Sequence, residues 1–375
     1  SVTPFIPGAD KMPIGYSWPY YGISSTANNT VVMGGALSTV MDLSPMEQTA
    51  SALGSVIVFL VHAIVMDGTT KTVSSNFASA KYVPVSSSST VVEMFASASS
   101  SDVSTSCGTF TSPCGSLTSI LASTTFMNAY SSSKKVSLLP GTFGSSSCGL
   151  SITSLGSIEI SSLTGVPDST LIDCGYESNF ATISGDDAVI VSGVTIRNGR
   201  SETGGGIKIA NSTTPERVQI SDVVVKDSLA ENLGGGVHVV TASPKFENVV
   251  VQNCSGGNDR TGNANRGGGI YIETNSNVIA NELTVKDCSL DVSGKGGGLN
   301  VDESSGGVFT NAVIENNSAF FAAGIFIGNK CTPKFINAKV FGNSANYGSG
   351  IGIFNGGDAE FVNGTISKNT PTANA

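Results

Sequence analysis

From residue 204 onward the chain repeats a short apolar–x–apolar triplet: Ile207-Lys208-Ile209, Val237-His238-Val239, Ile270-Tyr271-Ile272, Leu299-Asn300-Val301, Ile325-Phe326-Ile327 and Ile351-Gly352-Ile353. Alternation with a period of two predicts strands with one face turned inward, and no stretch of the repeat has helical period. Each triplet follows a small-residue phrase ending at Gly206, Gly236, Gly269, Gly298, Gly324 or Gly350, so the spacing is 30, 33, 29, 26 and 26. A second phrase keeps step with the first and starts at Val191, Ile220, Phe246, Ala280, Phe309, Phe335 and Phe361. Each unit therefore carries at least two short strands and two turns, none able to bury its inner face alone. Units of this length must stack, which predicts an all-β solenoid, a parallel β-helix.

The second phrase places Phe246, Phe309, Phe335 and Phe361 in an internal aromatic ladder. Asn248, Asn311, Asn337 and Asn363 follow as an internal amide ladder at a turn, bonded from coil to coil. The middle triplet positions face outward, so Lys208, His238, Tyr271 and Phe326, with Asn300 and Gly352, predict a polar and aromatic contact surface. On the other strand the outward positions are Thr195, Val224, Val250, Thr284, Val313, Lys339 and Thr365.

Upstream, residues 114–121 read as a short capping helix, followed by a strand over 136–143 that contains Leu139-Pro140-Gly141-Thr142-Phe143. Helix and strand together resemble the opening of pectin-lyase-like right-handed β-helices. The β-helix is expected over residues 104–375, in nine or ten coils. Residues 1–103 read as a separate β-rich domain or arm, with Val31-Val32-Met33 and 56–65 as strands and the Ser-rich stretches near 86–89 and 97–101 as linkers.

Composition narrows the class. Only 13% of residues are charged, 39% are hydrophobic, and glycine numbers 45, which fits tight-turned β structure rather than disorder. A net charge of −9 with five Arg excludes nucleic acid as a partner. The apolar stretch 55–66 is short for a membrane span and reads as a buried hairpin. The chain starts at Ser1, consistent with a mature N-terminus after signal removal. Seven cysteines speak for an oxidising, extracellular compartment. The expected bridges are Cys107–Cys114, Cys148–Cys174 and, across equivalent positions of consecutive repeats, Cys254–Cys288, leaving Cys331 unpaired or intermolecular. Five Asn-x-Ser/Thr sequons occur, at Asn28, Asn211, Asn253, Asn316 and Asn363. Asn211 is the best acceptor, and Asn363 is blocked by its place in the expected internal ladder.

The units 316–325 and 343–351 resemble the repeats of polymorphic outer membrane proteins, which pair a Gly-Gly-Ala-Ile phrase with a Phe-x-x-Asn phrase. The resemblance covers residues 190–370 and implies a secreted or surface-displayed β-helix, adhesive or structural rather than catalytic.

Candidate chemistry is sparse. Ser184-Gly185-Asp186-Asp187 resembles the paired-aspartate motif of polygalacturonases, where two carboxylates serve as acid and base. The accompanying Gly-His-Gly and Arg-x-Lys are absent, so a Gly-Asp-Asp turn is the plainer reading. Arg197, Arg200, Arg217, Arg260 and Arg266 lie in one third of the solenoid and read as solvated charge or an acidic-glycan site. With two His and no Cys-x-x-Cys, neither a metal site nor a cofactor is expected. The repeat runs to the last residues without a cap, an open template for another chain. The leading expectation is thus a filament or appendage subunit that binds further copies of itself head to tail, or other appendage subunits. The alternatives are a monomeric adhesin that binds glycans and a polysaccharide lyase or hydrolase acting through Asp186 and Asp187.

Overall fold

The computed structural model describes residues 91–104, 106–123, 126, 128, 133–257, 266–290 and 293–372, together with the strands Tyr16–Ser17, His62–Asp67 and Thr70–Ser74. Two compact units divide between Ser87 and Ser88.

In the first unit His62–Asp67 pairs antiparallel with Thr70–Ser74 and with Tyr16–Ser17. The hairpin expected over 55–66 thus falls a few residues later, and Val31, Val32, Met33 and Asn28 lie outside the described residues.

The second unit is a parallel β-solenoid with three sheets of eight, seventeen and seven strands. The apolar–x–apolar triplets lie in the eight-stranded sheet, one strand per turn. Register follows the triplets: Ile209 pairs with Val239, Val239 with Ile272, Ile272 with Val301, and Val301 with Ile327. These residues are buried, as alternation requires. The second phrase forms the seventeen-stranded sheet, bent within each coil at a residue of positive φ, such as Asn248 (φ 50°) or Asn311 (φ 54°).

Two of the phrase's glycines have separate reasons. Gly234 turns the chain at φ 65°. A Cβ on Gly235 would lie 2.2 Å from the Gly268 carbonyl oxygen of the next coil. Close approach of successive coils is what forbids a side chain there.

The first coil begins earlier than residue 104. Val91–Ala96 pairs in parallel with Ser133–Leu138, and Ser97, expected in a linker, is buried and bonded to the Cys114 carbonyl. The capping helix forms over Leu117–Ala122, with the Ser116 hydroxyl accepting from the Ser119 N–H at 3.2 Å and Leu117 and Ile120 facing the core.

The aromatic ladder is present: Phe309 stacks on Phe335 at 4.9 Å, and Phe335 on Phe361 at 4.8 Å. Phe246 is buried too, but Ala280 takes the seat between it and Phe309. The amide ladder differs from expectation. Asn248, Asn311, Asn337 and Asn363 are exposed, because a residue at a left-handed bend projects away from the core. Asn248, Asn311 and Asn337 still bond along the axis, Asn337 Nδ2 donating to Asn311 Oδ1 at 3.2 Å. Asn363 is therefore not enclosed. The interior ladder belongs to Asn317, Asn343 and Asn369, where Asn317 donates to Asn343 (3.0 Å) and Asn343 to Asn369 (2.9 Å).

Cys107–Cys114 and Cys148–Cys174 are disulfides, with Cα separations of 4.9 and 5.6 Å. Cys254 and Cys288 are free, which corrects the expected bridge, and Cys331 is free and buried. The two cysteines occupy the interior amide seat: their thiols point to the Val225 and Val251 carbonyls, as Asn317 Nδ2 points to that of Val285. In-register neighbours have parallel Cα–Cβ vectors, so their Cβ atoms stay about 4.8 Å apart. A disulfide brings Cβ atoms to roughly 3.5–4.5 Å. Stacking is near enough for contact and wrongly aimed for a bond.

Candidate ligand-binding groove

Asp186 and Asp187 sit in the turn between Ala181–Ser184 and Val189–Ser192. Asp187 accepts the Gly156 N–H at 3.1 Å and Asp186 the Thr214 N–H at 3.3 Å. Each carboxylate ties the turn to the chain of a neighbouring coil, and among the described residues neither forms an ion pair. Both carboxylates thus serve the turn. The arginines are likewise dispersed. Arg197 pairs with Asp173 at 2.9 Å, Arg200 with Glu231 at 3.2 Å, and Arg260 lies outside the described residues.

The expected contact ladder is in register, Lys208–His238–Tyr271–Asn300–Phe326–Gly352. It is not a surface. His238 is 2% exposed, Tyr271 1%, and Asn300 and Phe326 are also buried; Lys208 alone of the four expected contact residues is partly open. The cover is a second row on the adjacent seven-stranded sheet. Leu233, Arg266, Lys295, Phe321 and Tyr347 pair one with the next through successive coils, so their side chains leave on one side. Arg266 and Lys295 reach across the corner. Arg266 Nη1 donates to Tyr271 Oη at 2.9 Å and to Asp302 Oδ2 at 2.8 Å. Lys295 Nζ lies 5.4 Å from the centre of the Phe326 ring.

Beneath this cover a chain of polar contacts runs along the solenoid. His238 stacks on Tyr271 at 5.5 Å, and its Nε2 lies 2.8 Å from Glu273 Oε1. A carboxylate only accepts, so Nε2 carries the proton; Nδ1 is buried without a partner. Burial raises the pKa of the Tyr271 phenol, which the Arg266 guanidinium does not offset. Burial pushes the Glu273 carboxyl upward too, but the bond and charge of His238, the Tyr271 hydroxyl and Arg266 outweigh it and hold the carboxyl below its ordinary value. Burial alone would make Arg266 easier to deprotonate; Tyr271, Asp302 and Glu303 reverse this and fix its charge. Asp302 is saturated, since its other oxygen accepts the N–H groups of Glu303 (2.9 Å) and Asn329 (3.0 Å).

Beside the network lies an open cleft of about 240 Å³ lined by Arg266, Lys295, Glu303, Phe326, Asn329 and Asn355. Phe354 stacks on Phe326 at 5.0 Å and is 41% exposed, so an aromatic ring is presented at this edge. Gly352 makes room for that ring, since a Cβ there would lie 2.8 Å from it. Among the described residues Lys295 pairs with no carboxylate. The cleft thus offers a guanidinium, an ammonium, an exposed carboxylate and two amides over the buried Phe326 ring, on which the exposed Phe354 ring stacks. His238 and Tyr271 are closed off from the cleft and already bonded.

Arg266, Glu273, Lys295, Asp302 and Phe354 were not singled out by the triplet pattern as a site. Their signal lay in the spacing. The coils of 33 and 29 residues are longer than the 26-residue coils, and the added residues precede Arg266 and Lys295.

The family described as right handed beta helix region matches residues 179–366, half of the chain. None of the curated proteins matches. Among solved structures, the A-module of the Azotobacter vinelandii mannuronan C-5 epimerase AlgE6 is 14% identical over 68% of this chain and 95% of that one, with a TM-score of 0.23. A likeness that slight carries no argument about activity. The two disulfides are compatible with secretion, and no helix of the described residues is long and apolar enough to cross a membrane.

Proposed function

The chain belongs to the right-handed β-helix family, and from that premise we propose an extracellular, non-catalytic β-helix that binds glycan chains in the groove beside Lys295 and Phe354. The observation that carries this reading is the chemistry of the cleft: amides and charges for hydroxyl groups, next to an exposed aromatic ring. Sugar rings present both kinds of surface. The burial of His238 and Tyr271 argues against acid–base turnover, and the kinship of the repeats with those of surface-displayed outer membrane proteins belongs to the same proposal. A glycan array followed by titration of the best ligand tests it. Lys295→Ala and Phe354→Ala are each expected to weaken binding about tenfold, the scale of one well-placed contact. Absence of binding across the array, or affinities untouched by both changes, would sink the reading. Cleavage or epimerisation of the bound glycan would replace binding with catalysis.

A second reading keeps the filament subunit joined head to tail to further copies, the contact that one stack of parallel strands can make with another. Analytical ultracentrifugation and negative-stain microscopy decide it: a monomer at the highest attainable concentration rules the filament out.

A further inference from the structure

The described sequons share a backbone conformation: Asn211, Asn253, Asn316 and Asn363 are all exposed and all adopt a positive φ near 50°. The hydroxyl residue two places after each asparagine tells them apart. Ser255 opens the strand Ser255–Gly256, Ser318 opens Ser318–Phe321, and Thr365 opens Thr365–Ser367. In those three the hydroxyl residue is already committed to a strand of the solenoid. Thr213 instead starts residues 213–217, all exposed, in the loop between the strands Ile207–Ser212 and Val218–Lys226.

The asparagine amides differ as well. Asn253 Nδ2 is spent on Asp227 Oδ1 at 2.5 Å. Asn316 Oδ1 lies so close to the next coil that a Cβ on Gly342 would come within 2.4 Å of it. Asn211 makes no side-chain hydrogen bond among the described residues, and its sequon leads into open chain rather than a stacked turn. A bulky polar substituent there projects into solvent without separating two coils.

We infer that Asn211 is an N-glycosylation site, an inference that rests on the extracellular part of the proposed function and not on glycan binding. The donor is a lipid-diphosphate-linked oligosaccharide. Its anomeric C–O bond breaks, the diphosphate leaves, the Asn211 Nδ2–C bond forms, and the amide gives up one proton. The fold selects Asn211 because the sequon sits where a loop replaces the short turn of the neighbouring coils.

The full chain is produced through the secretory route of a eukaryotic cell and its glycopeptides are mapped by mass spectrometry. Asn211 is expected to carry glycan, and Asn211→Gln and Thr213→Ala are each expected to lose that mass while both disulfides stay formed. Secreted protein with intact disulfides and an unmodified Asn211, or with glycan confined to Asn253, Asn316 or Asn363, overturns the inference. Retained protein with reduced cysteines would instead overturn the extracellular reading on which it rests.

Discussion

In the coils that repeat every 26 residues, two interior seats hold the same side chain from one coil to the next. Phe309, Phe335 and Phe361 stack in one seat, and Asn317, Asn343 and Asn369 bond in another. In the longer coils before them the seats are filled differently. Ala280 stands in the aromatic seat, Cys254 and Cys288 in the amide seat, and Arg266 and Lys295 reach over the outer face of the eight-stranded sheet. The backbone registers are the same in both regions. Strict repetition serves the core, because identical side chains stack best on themselves. Departure from it supplies the charges, aromatic edges and cover that make a site. A β-helix tolerates such a division because each coil touches only its neighbours.

The largest expected effect that separates the regions is at the aromatic ladder. Phe335 lies between two rings, and Phe335→Ala is expected to cost about 3–5 kcal/mol of local stability, from burial, cavity and stacking together. Phe246 is as well buried but faces Ile220 and Ala280 rather than rings. Phe246→Ala should therefore cost less, by about 1 kcal/mol, the scale of an aromatic pair. Native-state hydrogen exchange of the flanking strands reads both losses coil by coil. Equal losses would mean that the repeated rings add nothing beyond their area.

The amide seat gives the next effect. Asn343 accepts from the Asn317 N–H and Nδ2 and donates to Ile314 O, Phe341 O and Asn369 Oδ1. Asn343→Ala leaves several buried groups without partners, at an expected cost of about 2–3 kcal/mol. Cys288→Ala in the same seat removes only a weak donor and is expected to cost about 1 kcal/mol or less. Urea denaturation of the two variants compares them. A Cys288 loss as large as that of Asn343 would show that the thiols are true members of the ladder.

The core was legible in the sequence because alternation of period two and a step near 26 are enough to set register. The triplets named the inward residues, and Phe309, Phe335 and Phe361 fell where their spacing put them. Failures came where direction within a turn decided the outcome. The Asn of the second phrase and the Asn just before each of the last three strands of the seven-stranded sheet look alike in sequence, yet a left-handed bend turns the first outward and leaves Asn317 and Asn343 inside. The same blindness to Cβ direction suggested a bond between Cys254 and Cys288. The groove was missed for another reason. Tyr271 holds a middle triplet position, but its cover comes from Arg266, a residue outside the triplet strands whose reach around a corner no periodicity records.

The smallest effect is the pH response of the covered network, and it belongs to the longer coils. Glu273 holds its carboxyl below the ordinary value of 4.5 against the upward push of burial, through His238, Tyr271 and Arg266. The folded pKa is thus lower than the unfolded one. The stabilisation is complete above about pH 4.5 and is lost as the pH falls through the folded value. Wild-type protein should show no change in exchange of the strand Ile270–Glu273 from neutral pH down to about 4.5, then a progressive loss of protection below it, corrected for intrinsic exchange. Glu273→Gln should flatten that decline while leaving the strands around Phe335 unaltered as an internal reference. A decline of equal slope in both proteins would place the titrating groups elsewhere. A decline confined to the wild-type longer coils would tie acid sensitivity to the network under Arg266, and so to the region where the repeat departs from itself.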